Sequence, residues 1–135
     1  MRSPRTRTAI ACYVLLFVGL LLNPASAYSF ESTIRIAPNV LNIQSEGTVV
    51  TVHTDISYWV VDAYTVSLND IPISSWKADN RGNFVAKFSM DEVKMLDYLI
   101  IGDYNTLTIE GLTRDGEEFV GELDIIIINV LPKGQ

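Results

Sequence analysis

The chain has 135 residues, with 10 Lys and Arg, 16 Asp and Glu, one His and one Cys, and a net charge of −6 at pH 7. This length suits one domain with a modest core, and the acidic balance excludes nucleic acid as a partner because its phosphates would be repelled. One His and one Cys also exclude a tetrahedral zinc site of nitrogen and sulfur ligands.

The N-terminal segment has the organisation of a secretory signal peptide. Three arginines in the first seven residues precede an apolar run over 9–22, and Ala-Ser-Ala at 25–27 is a small-residue site of the kind that signal peptidase cuts. The run is shorter than the roughly 20 apolar residues of a spanning helix, so we expect no retained membrane span. Cleavage after Ala27 predicts a secreted or periplasmic protein with a single domain over 28–135.

The predicted mature chain is more acidic than the whole and has no disulfide. Residues 1–27 hold three of the ten basic side chains, none of the acidic ones and the only cysteine, Cys12. The remaining 108 residues therefore carry 7 basic and 16 acidic side chains, a net charge of −9. Packing and sheet pairing must stabilise such an exported domain.

Apolar and polar residues alternate over the first half of this domain, which predicts short β-strands. Pro38 interrupts the first of them and lacks an amide hydrogen, so it belongs at a sheet edge or at a switch between sheets. The strongest pattern is Thr48–Ile56. Tyr64, Val66 and Leu68 then alternate with polar residues and predict a further strand with these three on one face.

The middle of the domain contains an edge element and a helix. Pro72 favours an edge position for Ile71–Lys77, because proline cannot donate to a neighbouring strand. Ser89 and Glu92 have the spacing of a capping box, in which each side chain satisfies the other's backbone amide. This spacing predicts one short helix over Ser89–Tyr98.

The C-terminal part contains a hairpin signal and a strongly apolar strand. Asp115-Gly116 is typical of a tight turn between antiparallel strands. Ile125–Ile128 is apolar on both faces, so we expect the last strand, Glu118–Val130, to be central and covered on both sides. About seven strands with one helix predict an all-β, two-sheet sandwich of immunoglobulin-like type, with a barrel as the alternative.

Three aromatic residues in or near connections are the candidate ligand-binding residues: Tyr58, Trp59 and Trp76. Planar rings on the rim of a sandwich can stack on sugar rings and supply a large contact area at small entropic cost. The alternative interpretation is that Trp59 and Trp76 close the open ends of the sandwich.

The loop over 79–83 is a candidate calcium site, since calcium requires only oxygen ligands. Asp79, Asn80 and Asn83 offer such oxygens, and Gly82 permits a sharp turn. Arg81 occupies the place of a second acidic ligand, however, so an ordinary turn held by the Asp79 side chain is the alternative. No other cofactor is expected.

Catalysis has one weak candidate. His53 and Asp55 share a strand face, but no nucleophile accompanies them in a recognisable motif, and a solvated strand histidine accounts for the pattern. We therefore expect no enzymatic activity.

Turn glycines and core alternation recur in an order that resembles small secreted immunoglobulin-like β-sandwich modules of bacterial and archaeal surface proteins, mostly of unassigned function. The likeness covers nearly all of 28–135. It is carried by Ile36, Pro38, Leu41, Asn42, Ser45, Gly47, Val50, Val52, Thr65, Val66, Leu68, Asn69, Lys87, Phe88, Leu107, Ile109, Gly111, Asp115, Gly116, Phe119 and Gly121.

This resemblance implies a sandwich fold, and such modules typically accompany other extracellular domains. Similar sequences carry an acidic, calcium-like loop before the Lys87-Phe88 strand, of which Asp79 and Gly82 remain. We expect a non-enzymatic binding or structural module whose partner is an extracellular or periplasmic protein or a glycan. The alternatives are a carbohydrate-binding module and a self-assembling, homo-oligomeric surface subunit that pairs through an edge strand.

Overall fold

The computed structural model describes residues 29–131, which form short β-strands, one turn of 3₁₀ helix (Tyr58–Val60) and the α-helix α1 (Met90–Lys94). The strands are β1 (Ser29–Glu31), β2 (Arg35–Ala37), β3 (Val40–Asn42), β4 (Val49–Ser57), β5 (Val61–Leu68), β6 (Ile71–Pro72), β7 (Ser75–Ala78), β8 (Asn83–Ser89), β9 (Asp103–Thr113) and β10 (Glu118–Ile128). The prediction of an all-β protein is confirmed.

The strands form two sheets that enclose one core. Sheet I contains six strands in the order β1-β10-β9-β5-β6, with β3 also paired to β10. Sheet II contains four strands in the order β2-β4-β8-β7. The predicted two-sheet sandwich is therefore confirmed, since a barrel would require one continuous sheet.

The N-terminal part of the chain moves between the two sheets. In β2, Ile36 pairs with Val52 of sheet II, whereas in β3 Leu41 pairs with Ile127 of sheet I. Pro38 lies between these strands, where the missing amide hydrogen breaks no ladder. The prediction that this proline marks a switch between sheets is confirmed.

The predicted element Ile71–Lys77 is divided by another crossing between the sheets. Ile71 and Pro72 form the edge strand of sheet I, which confirms the edge position of the proline. The chain then crosses to β7, the edge strand of sheet II. Two consecutive short strands therefore lie on the same side of the sandwich, in opposite sheets.

The core contains the inward positions of both sheets. Burying each large apolar side chain contributes about 1.5–3 kcal/mol relative to leaving it exposed. Thr54 is the one polar residue of β4 that faces inward, and its hydroxyl is satisfied by donating to the Phe84 carbonyl at 2.7 Å. The largest fully buried side chains are Phe84, Phe88, Phe119, Leu41, Leu68, Leu107, Ile109, Ile125 and Ile127.

Helix α1 begins as predicted and ends early. Ser89 is its N-cap, and its hydroxyl oxygen accepts from the Glu92 amide at 3.3 Å. The predicted end at Tyr98 is wrong, because the chain leaves α-helical geometry after Lys94. The Met95 amide donates to the carbonyl of Glu92, three residues back, and such tightened bonds end many helices.

The last strand is central but only one of its faces is covered. β10 lies between β9 and the pair β1 and β3, as predicted. Ile125 and Ile127 are fully buried against sheet II, whereas Ile126 and Ile128 remain partly exposed on the outer face of sheet I. The prediction of cover on both sides is wrong, since a sandwich has only two layers and this face is an outer one.

The predicted signal peptide, residues 1–27, lies outside the described residues, and so does the cleavage point after Ala27. Over 29–131, no helix is both long and apolar enough to cross a membrane. Export and localisation stay predictions.

Candidate functional site

Two of the three predicted ligand-binding aromatics follow β4 directly. Tyr58 and Trp59 form the 3₁₀ turn, in which the Tyr58 amide donates to the Gly82 carbonyl at 2.9 Å. Their rings meet edge to face, with centroids 5.2 Å apart and planes at 89°. The Tyr58 ring is half-buried, 6.3 Å from that of Phe84, whereas the Trp59 side chain is 73% exposed.

Trp76, the third predicted residue, lies in edge strand β7 beside Tyr64, which was not among the predicted ligand-binding residues. The ring centroids of Trp76 and Tyr64 are 5.1 Å apart, with their planes at 76°. Trp76 is half-buried, and Tyr64 is 85% exposed. We call these four residues, Tyr58, Trp59, Tyr64 and Trp76, the aromatic cluster.

Three of the four residues of the aromatic cluster line a cleft of about 150 Å³ between the edges of the two sheets. Tyr58, Tyr64 and Trp76 line it, and so does Arg114. Tyr58 and Trp76 also pack against the core, so these two rings close the side of the sandwich. Trp59 does not line the cleft and presents its ring to solvent beside Tyr58.

A bulge in β5 places Tyr64 in this cluster. Between Asp62 and Ser67, β5 advances five residues, while its partner β9 moves only two, from Leu112 to Glu110. The extra residues reverse the alternation of faces along the strand. Tyr64 therefore points outward while Val66 and Leu68 are buried, and the prediction that these three residues share one face of a strand is wrong.

The loop over 79–83 is held by its own aspartate. One carboxylate oxygen of Asp79, Oδ1, accepts from the amides of Arg81 at 2.8 Å and Asn83 at 2.9 Å. The pKa of the Asp79 carboxyl is lowered, and the hydrogen bond from the Asn83 amide is the largest cause. Partial burial acts in the opposite direction. The hydrogen bond from the Arg81 amide and the charges of the His53 and Arg81 side chains lower the pKa further. This is the turn that the alternative interpretation predicted.

The calcium site stays a prediction. Asp79 has one oxygen engaged with the loop backbone, which leaves it a single free oxygen for a cation. Asn80 is exposed and Asn83 is half-buried in the same loop. Within the part of the chain that the structure describes, no three side chains of His, Cys, Asp or Glu are grouped so as to hold a metal ion.

His53 and Asp55 lie on the outer face of sheet II. His53 is opposite Arg35 on one side and Val85 on the other. Oδ1 of Asp55 accepts from the Ser32 hydroxyl at 2.7 Å. This bond orients the carboxylate toward β1, and the absence of enzymatic activity stays a prediction.

Comparison of the chain with protein-family models, with curated proteins and with solved structures finds no match. The site consists of two exposed rings, Trp59 and Tyr64, two half-buried rings, Tyr58 and Trp76, and a narrow cleft.

Proposed function

We propose that the protein is an exported, non-enzymatic binding module of immunoglobulin-like type, and that the aromatic cluster binds carbohydrate. The observation that carries this proposal is that Trp59 and Tyr64 are exposed and each meets, edge to face, a ring that packs against the core. Single exposed apolar side chains are normal, but exposed apolar side chains that are grouped on one surface mark interaction sites. Two such rings on firm supports form a preorganised contact surface.

The order of the strands supports the immunoglobulin-like assignment. Sheet II, β2-β4-β8-β7, corresponds to strands A, B, E and D of an immunoglobulin domain, and β10-β9-β5 corresponds to G, F and C. The helix α1 then lies in the E–F connection. The fold lacks the inter-sheet disulfide of antibody domains, because residues 29–131 contain no cysteine.

The size of the cleft limits how a saccharide would bind. Pockets that enclose small ligands have volumes of about 300–1,000 Å³, and the cleft has about 150 Å³. A whole sugar ring therefore does not fit inside. We expect the ligand to lie across the surface, with its apolar faces on Trp59 and Tyr64 and one substituent directed between Tyr58 and Trp76.

The four rings have different roles in this proposal. Trp59 and Tyr64 supply contact area, and their removal leaves the core unchanged because both are exposed. Tyr58 and Trp76 support them through the edge-to-face contacts and also pack on the core. Substitution of the first pair tests binding, whereas substitution of the second pair also changes stability.

A glycan array probed with the purified protein tests the proposal. We expect a set of related neutral glycans to bind, and a loss of at least about tenfold in affinity, or 1.4 kcal/mol, for Trp59→Ala and for Tyr64→Ala. Tyr98→Ala and Tyr104→Ala are matched controls, because both remove exposed rings outside the cluster. An array without a binder, or equal losses in the controls, would refute carbohydrate binding by this surface.

The alternative of self-assembly through an edge strand has less support. The edges of both sheets are short, and they carry Pro72 in β6, Lys77 in β7 and Arg35 in β2. Short edges, prolines and charged residues are the features by which β-proteins prevent strand addition. Light scattering over a wide concentration range separates the two functions, since a monomer throughout would exclude assembly.

A further inference from the structure

The basic residues of this acidic protein gather on one face. Residues 29–131 contain all 16 Asp and Glu, but only six Lys and Arg and one His. Four of those six and the histidine lie on the outer face of sheet II or in the loop at its end. They are Arg35, Lys77, Arg81, Lys87 and His53.

Strand register creates this grouping. One row crosses all four strands of sheet II, from Arg35 to His53 to Val85 to Lys77. Residues directly opposite each other on neighbouring strands share a face, and strands lie about 4.8 Å apart, so the row is about 14 Å long. Arg81, in the loop that follows β7, adds a further positive charge at one end.

Three residues of the row, Arg35, His53 and Lys77, line a groove of about 510 Å³. Val85, between His53 and Lys77 in the row, is fully buried and does not line the groove, so a ligand would contact the polar side chains around it. Two carboxylates also line the groove, and each has an oxygen engaged within the protein. Asp79 holds the amides of its loop, and Asp55 accepts from Ser32. We call this site the cationic groove.

The opposite face of the sandwich is acidic. On the outer face of sheet I, Glu110, Glu122 and Asp124 are exposed on neighbouring strands, opposite uncharged partners. The field of the molecule therefore directs an anion toward sheet II and away from sheet I. A long, densely charged polymer such as nucleic acid would also meet the repulsion of the net negative charge.

We propose that the cationic groove binds an acidic polysaccharide through carboxylates spaced along its chain. Cations that are separated along the groove fit a ligand with several spaced charges better than a single small ion. This site is distinct from the aromatic cluster and does not depend on it. The two lie on opposite sides of β7, where Trp76 and Lys77 are consecutive and point to opposite faces.

Titration of the purified protein with oligogalacturonate of defined length, followed by calorimetry, tests the proposal. We expect binding that weakens as salt is raised, because the contacts are ionic and exposed. The same oligomer with its carboxylates methyl-esterified keeps the rings and loses the charge. We expect it to bind the groove at least about tenfold more weakly.

Charge-matched variants locate the site. Arg35→Gln with Lys77→Gln removes two exposed cations from the groove, and we expect a loss of roughly tenfold or more. Lys94→Gln with Gln44→Glu changes the net charge equally from outside both the groove and the aromatic cluster, and should leave the affinity nearly unchanged. Thermal unfolding of both double variants verifies that each is folded. Trp59→Ala should retain oligogalacturonate binding, whether or not the aromatic cluster binds a glycan, because the groove does not include Trp59.

Three results would overturn the proposal. Equal losses in the two double variants would show attraction by net charge alone. Equal binding of the esterified oligomer would show that the carboxylates are not recognised. Tighter binding of an oligothymidylate or a polyglutamate peptide, each tested at the same salt concentration, would assign the groove to nucleic acid or to an acidic protein segment.

Discussion

The side-chain oxygen of Thr65 accepts a hydrogen bond from the backbone amide of Leu112 at 2.8 Å, and the same hydroxyl donates to the Asp62 carbonyl at 2.7 Å. Thr65 lies within the bulge of β5, where the backbone ladder to β9 is interrupted. Its hydroxyl supplies the acceptor that the bulged backbone does not offer. The bulge is thereby fixed, and Tyr64 is directed outward beside Trp76.

Replacement of Thr65 by valine should destabilise the protein by about 1 kcal/mol, because the shape is kept while both hydrogen bonds are lost. Chemical denaturation measures this change. Thr65→Ser retains the hydroxyl and is the matched control, with a smaller expected effect. A valine variant as stable as the unchanged protein would show that the bulge does not depend on this side chain.

Features with a local cause were predictable from the sequence. Proline lacks an amide hydrogen in any context, and this alone predicted the switch between sheets at Pro38 and the edge position of Pro72. Asp115-Gly116 forms the predicted turn, with Gly116 at φ +89°, and Ser89 caps the helix. In each case the residue itself restricts the local backbone, so the feature depends little on tertiary packing.

Features that depend on distant strands were not predictable. The outward turn of Tyr64 results from unequal advance along β5 and β9, which are separated by more than thirty residues. Arg35, His53 and Lys77 have no common sequence pattern and meet only through the register of sheet II. A period-2 pattern gives the face of a residue within its own strand, but not its neighbours across the sheet.

Gly121 in β10 lies beneath residues 32–34, the segment that crosses from β1 in sheet I to β2 in sheet II. A Cβ atom at this position would lie 2.6 Å from Cγ2 of Ile34 and 2.9 Å from the carbonyl oxygen of Ser32. Because one of these neighbours is backbone, Gly121→Ala should destabilise the protein by about 1–3 kcal/mol. Denaturation curves of the variant measure the loss.

Gly47→Ala is the control for that substitution. Its Cβ would lie 3.1 Å from Cε of Met90, the end of a flexible side chain that can move. We expect a much smaller change than at Gly121. Similar losses at the two positions would mean that the close approach at the crossing segment is not what requires glycine.

Asn105 holds the turn that precedes the body of β9. Its buried amide group accepts from the Ile100 amide at 2.7 Å and donates to the carbonyls of Ile100 at 2.9 Å and Asp103 at 3.0 Å. Asn105→Ala leaves these groups without their partner and should cost about 1–3 kcal/mol. Hydrogen exchange at the Ile100 amide should accelerate more than global stability explains.

Asn129→Ala is the matched control for Asn105, because its side chain bonds only to the exposed Gln44 among the described contacts. Here we expect little loss of stability and unchanged exchange at Ile100. An Asn105 variant with unchanged exchange at that amide would indicate that the turn is held by its backbone alone.

Asp79 gives the 79–83 loop a pH dependence of known sign. Its pKa is lowered in the folded protein, chiefly by the hydrogen bond from the Asn83 amide. The ionised form is thus favoured by folding, so the stabilisation is present above the ordinary carboxyl pKa of about 3.9 and is lost as the pH falls through the folded value. Asp79→Asn keeps an acceptor oxygen but cannot ionise.

The difference in unfolding free energy between the unchanged protein and Asp79→Asn should therefore be largest near pH 7 and should narrow below about pH 4. Asp115→Asn removes an equal charge from an exposed turn and controls for the change in net charge. Denaturant titrations at pH 7, 5 and 3 measure both differences. A constant difference for Asp79→Asn across this range would show that the carboxylate charge does not strengthen its bonds to the loop amides.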